Sequence, residues 1–88
     1  MGNVSFITKL KDVKSVNFKF KKDLQKLAET YSKDRVFPNW TAEFIHNNPI
    51  LNNRTLINDI MSAANELDAE LGDKRHSQFV LALIGYRR

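Results

Sequence analysis

Two histidines, ten carboxylates and a scatter of hydroxyls are the side chains here that could do chemistry, and their spacing speaks against it. Glu43 and His46 stand three apart, one turn of a helix, but His76 is far away in sequence and the chain has no cysteine. Two histidines without thiolates cannot close a structural zinc site unless two carboxylates join them. The expectation is therefore no metal, with His46 near a helix end and His76 in a basic surface patch, Lys74-Arg75-His76. The pair His76-Ser77 reads as the start of a helix. A nucleophile also needs a base and an orienting group in a defined pocket, and no nucleophile elbow or Gly-rich phosphate loop is present. Glu66, Asp68 and Glu70 are spread around a helix, which predicts a solvated face and not an acid–base pair. No catalytic residue and no cofactor is expected, and the chain reads as non-enzymatic.

The charges carry more information because they are sorted. Residues 1–35 hold nine Lys/Arg against four acids, residues 36–73 hold Arg54 against six acids, and residues 74–88 hold four cations and no acid. The net charge of +4 and the pI of 9.6 conceal this basic–acidic–basic order. Separate blocks of one sign can each present a field to a partner. Lys9, Lys11, Lys14, Lys19, Lys21, Lys22 and Lys26 fall close together, and Lys22 and Lys26, four apart, face the same way on a helix. The candidate binding residues are Lys19, Lys22, Lys26 and Lys33, with Lys74, Arg75, Arg87 and Arg88 from the C-terminal block. Tyr31, Trp40 and Tyr86 are candidate interface residues, since aromatics anchor interfaces. Tyr86-Arg87-Arg88 follows Gly85 and reads as an exposed tail. Phe18, off the helical stripe, is either a stacking platform for a base or plain core.

These features predict a small accessory or inhibitory protein that docks on a larger protein or nucleoprotein complex through charged surfaces. The alternative is direct, weakly sequence-specific binding of nucleic acid by the N-terminal lysines. Lysines are point charges with little bidentate reading of bases, which limits specificity. A helix-turn-helix over Trp40–Leu67 is rejected because its second helix would bring Asp59, Glu66, Asp68 and Glu70 against phosphates.

Eighty-eight residues make one domain that buries roughly 60–65% of its unfolded surface, enough for a single core. A hydrophobic content of 42% and a charged content of 27% are ordinary globular values. Without cysteine the chain holds together by packing, as a monomer or a small homo-oligomer. Lys9 and Lys11 interrupt any signal-peptide core, and Phe79–Ile84, the longest apolar run, is far short of a membrane span. The expectation is a cytoplasmic protein with no membrane partner. Its abundance of Asn, Lys and Ile is what AT-rich coding produces, as in many phages and mobile elements.

The elements that must position these residues are helices. From Thr55 to Leu71, Leu56, Ile60, Ala63, Ala64, Leu67 and Leu71 recur at three- and four-residue steps, with Asn52 or Asn53 as the cap and Gly72 as the stop. Alternatively, Pro49 begins this helix a turn earlier. A second helix is expected from Ser15 or Phe20 to Ser32 on Phe20, Leu24, Leu27, Ala28 and Tyr31. A short one from Asn39 to Asn47 buries Trp40, Phe44 and Ile45. Ser77–Tyr86 is apolar nearly all round and reads as a buried helix capped by Asp73 or Ser77. Val4, Phe6, Ile7, Leu10 and Val13 suggest one more. The fold class is all-α, a compact bundle of four to five helices. Its rival is an α+β fold with a two-stranded element from residues 15–20 and 78–85, since Val16, Phe18 and Phe20 also alternate as a strand does.

Overall fold

The computed structural model describes residues 5–87, with side chains as far as Tyr86. The α-helices are α1 (Phe6–Lys9), α2 (Phe18–Asp34), α3 (Thr41–Asn47), α4 (Arg54–Leu71) and α5 (Arg75–Arg87), with one 3-10 turn at Pro49–Asn52 between α3 and α4. The all-α bundle stands and no strand occurs among the described residues. Residues 15–20 are not a strand because Asn17 caps α2: its side chain accepts the Phe20 amide at 2.8 Å and turns the chain into a helix at Phe18. Phe18 and Phe20 then point to different faces, and Phe20 is buried while Phe18 is 61% exposed.

The helix ends follow local rules. Asn53 caps α4, accepting the Leu56 amide at 3.1 Å, and Gly72 ends it in the left-handed conformation at φ 71°. Pro49 does not start α4. It opens the 3-10 turn, and the extended backbone of Asn53 separates that turn from the helix. α2 runs two residues past the expected Ser32 and ends on Arg35, whose φ of 60° puts a side-chain-bearing residue in the region that favours glycine.

The core combines Phe6 and Leu10 with Leu24 and Leu27 of α2, Ile60 and Leu67 of α4, and Phe79 and Val80 of α5. Each such Leu or Ile contributes about 1.5–3 kcal/mol over leaving it exposed. α5 packs on both α4 and α2, and α1 packs on the same two helices. α1 is only four residues long and is held from outside itself. The Phe6 amide donates to Gln25 Oε1 at 2.8 Å, and the Lys9 ammonium pairs with Glu70 and, at 3.5 Å, with Glu66. The hydrogen bond to Glu70 raises the Lys9 pKa, and burial, which pulls the other way, does not cancel it.

Several local expectations change. Phe44 is buried, but Trp40 and Ile45 are only half-buried, since α3 is short and covers one edge of the core. α5 is not apolar on every side in effect: Leu81 faces solvent while Phe79, Val80 and Leu83 are buried. It continues through Gly85 to Arg87, so Tyr86 belongs to a helix and not to a tail, and its ring lies 5.1 Å from that of Phe37. Val4 and Arg88 lie outside the described residues. No described helix is long and apolar enough to cross a membrane.

Candidate functional site

The N-terminal lysines are arranged by α2. Lys19, Lys22, Lys26 and Lys33 are three, four and seven residues apart, steps that return to one helical face. All four are exposed, and at 1.5 Å per residue they form a ridge about 21 Å long. Lys21, one residue off this spacing, is buried. Lys19 is 3.1 Å from Asp23, an i,i+4 pair that screens it in part. Lys22 lies 5.6 Å over the Phe18 ring and Lys26 lies 6.0 Å over the Trp40 ring, so two exposed ammonium groups are braced by aromatic faces. Lys33 has no ion-pair partner among the described residues.

At its C-terminal end the ridge runs into a groove of about 460 Å³ between α2 and the start of α5. Lys33 and Arg35 line one side, Arg75 and His76 the other, with Gln25 and Glu29 further along α2. Here the two basic blocks meet, because Lys33 and Arg75 lie far apart in sequence and are joined only by the packing of α5 on α2. Arg35 Nη1 donates to Gln78 Oε1 of α5 at 3.4 Å, a link from the end of α2 to α5. Glu29 is the one acid in the lining, and it accepts from Gln25 Nε2 at 3.0 Å.

The remaining candidates separate. Lys74 is exposed and outside the lining. The Arg87 side chain and Arg88 lie outside the described residues. Tyr31 is stacked on Phe37 at 4.8 Å and near Phe79, so its ring serves the core at least as much as the surface. Trp40 meets Phe44 edge-on beneath Lys26. Tyr86 remains 47% exposed and is the most available of the three aromatics.

Two expectations are overturned behind the groove. His76 is not a surface residue but is 7% exposed, and Asp68 is equally buried and no part of a solvated acidic face. Asp68 Oδ1 accepts the His76 amide at 2.9 Å and lies 3.2 Å from His76 Nδ1, while Oδ2 accepts the Ser77 amide at 3.0 Å. Asp68 thus caps α5 from a neighbouring helix, with Asp73 taking the Arg75 amide at 3.3 Å. Burial pushes the Asp68 carboxyl up, but hydrogen bonds from Ser77 and His76 outweigh it and hold the group below its ordinary value. A carboxylate can only accept, so Nδ1 of His76 carries the proton and Nε2 is the ring's other, open position.

Asp68, Asp73 and His76 bring possible ligand atoms within 4.8 Å of one another. Their oxygens are already committed: both of Asp68 to α5, and Asp73 Oδ2 to Arg75 Nε at 3.2 Å. The set closes a helix end, and its chemistry is that of a cap. Sequence reasoning missed Asp68, whose eight-residue separation from His76 leaves no periodic signal. It also counted Arg35 only as charge, although a cation directly after a helix end is a residue free to turn sideways. Comparison of the chain with protein-family models, with curated proteins and with solved structures gives no match.

Proposed function

We propose that this chain is a small non-enzymatic binding protein that docks, as an accessory or inhibitor, on an acidic surface of a larger protein or nucleoprotein complex. The observation that carries this reading is the lysine ridge of α2, four exposed cations in line on one helix. A line of like charge costs the free protein self-repulsion, which an acidic partner relieves while also gaining association rate. Two acids in the last turns of α4, Glu66 and Glu70, are drawn off separately by Lys9, which leaves them no part in neutralising the ridge. The test is affinity capture from the source cell after nuclease treatment, beside the variant Lys22→Glu/Lys26→Glu. A partner held by the wild type and lost by the variant supports docking; a partner held equally by both removes the ridge from the explanation.

A second reading, direct binding of nucleic acid, is favoured by Phe18. This ring is 61% exposed at the start of the ridge with Lys22 across its face, the pairing of stacking platform and cation that single strands use. Four neutralised phosphates give a log–log salt slope of about −3 on single strands. A polarisation titration of labelled oligonucleotide between about 50 and 200 mM salt measures it. A flat salt response, or no loss of binding in Phe18→Ala, excludes this reading.

A further inference from the structure

We infer that the groove between α2 and the start of α5 is a binding site for a phosphate group, held by Lys33, Arg35 and Arg75 over the ring of His76. This goes beyond docking through the ridge, with which the groove shares Lys33 alone. Three observations converge. The groove is concave and of ligand size, about 460 Å³, where sites for small molecules span roughly 300–1,000 Å³. Its lining sets three cations against Glu29 alone. Its wall contains a buried polar group with an open atom: His76 is fixed through Nδ1 by Asp68, and Nε2 has no hydrogen-bond partner among the described residues.

The chemistry fits a phosphate better than a carboxylate. Lys33 makes no ion pair among the described residues, even with Glu29 one turn before it, and the Arg35 guanidinium has only one weak link, to Gln78, so both can turn to an anion. Arg75 uses Nε for Asp73 and keeps its two terminal nitrogens, the ones that grip an oxyanion in a fork. A neutral His76 accepts at Nε2 the proton of a P–OH, and a protonated one donates to P–O⁻. One proton shared between ring and phosphate therefore makes the bond in either state, which a fully ionised carboxylate cannot offer a neutral ring. A phosphate fills only part of the volume, and the exposed edge of Leu71 leaves room for an attached organic group.

The test is a titration of the isotopically labelled full chain with inorganic phosphate and, in a parallel arm, glycerol 3-phosphate, against sodium chloride of equal ionic strength. The expected result is saturable movement of the Lys33, Arg35 and Arg75 amides and of His76 Nε2, absent with chloride. Tighter binding of the ester assigns the site to a phosphorylated small molecule, and equal binding assigns it to the free anion. The variant Lys33→Gln/Arg35→Gln alters exposed residues, keeps the helical circular dichroism, and weakens binding at least about tenfold, the effect of losing one charged hydrogen bond. Glu29→Gln tightens it. The ridge variant Lys19→Gln/Lys22→Gln leaves it unchanged, which separates this site from the docking surface. Absence of saturation in both arms, shifts matched by chloride, or a folded Lys33→Gln/Arg35→Gln variant that binds like wild type overturns the assignment.

Discussion

Asp68 stays within α4 but reaches with its side chain to close the next helix, taking the amides of His76 and Ser77 with its two oxygens and the His76 ring besides. Replacing it by alanine strands these buried donors and is expected to destabilise the protein by about 2 kcal/mol, measured by urea unfolding at neutral pH. The pH dependence has a definite sign. Because the folded carboxyl titrates below its usual value of 3.8, its contribution is complete above that value and is lost as pH falls through the folded one. Wild type should therefore lose more stability than Asp68→Ala on acidification from neutral pH, and parallel acid limbs would refute the pairing. Thr41 offers the opposite case. Its side chain is fully buried and Oγ1 has no hydrogen-bond partner among the described residues, so Thr41→Val should stabilise by about 1 kcal/mol in thermal or urea unfolding. Neither Asp68 nor Thr41 was distinguishable in the sequence from the many polar residues around it. Burial is a property of the assembled helices, and periodicity placed Asp68 on the wet side of α4.

Among the elements, the helix termini were the most legible. Asn53 and Gly72 were readable as cap and stop because capping depends on a few consecutive residues and their own φ and ψ. The two glycines of the described chain make an internal control. A Cβ added at either meets nothing within 4 Å, so packing is not at issue. Gly72 sits at φ 71°, and Gly72→Ala should cost about 1 kcal/mol in left-handed strain. Gly85 lies inside α5, and Gly85→Ala should gain about 0.5–1 kcal/mol from helix propensity alone. Thermal unfolding of the pair checks both signs at once. The expectation that Gly85 releases a tail failed because a glycine within a helix weakens it by less than packing on the neighbours restores: the Tyr86 ring, one residue on, still reaches Phe37.

For the whole molecule, the question is where the basic–acidic–basic order ends up. Folding lays part of the acidic block against Lys9, lines four lysines along α2, and brings Lys33, Arg35 and Arg75 to one groove. If these surfaces are independent, their charge variants should be additive. Lys22→Glu/Lys26→Glu should lose partner capture and keep its anion affinity, whereas Lys33→Gln/Arg35→Gln, which includes the last lysine of the ridge, should lose anion affinity and weaken capture only in part. Loss of anion binding in Lys22→Glu/Lys26→Glu, which leaves Lys33 in place, would mean one continuous surface instead of two.

By itself the sequence determined the all-α class, the positions of α2 and α4, the cap and stop of α4, and the lysine stripe on α2. All of these follow from neighbours three and four residues apart, within reach of local backbone geometry. Tertiary structure decided what lies between elements: that α5 starts under the control of Asp68, that His76 is buried with one nitrogen free of a hydrogen-bond partner among the described residues, and that cations some forty residues apart share a groove. Those facts depend on which helices pack together, and no local spacing along the chain encodes that distance.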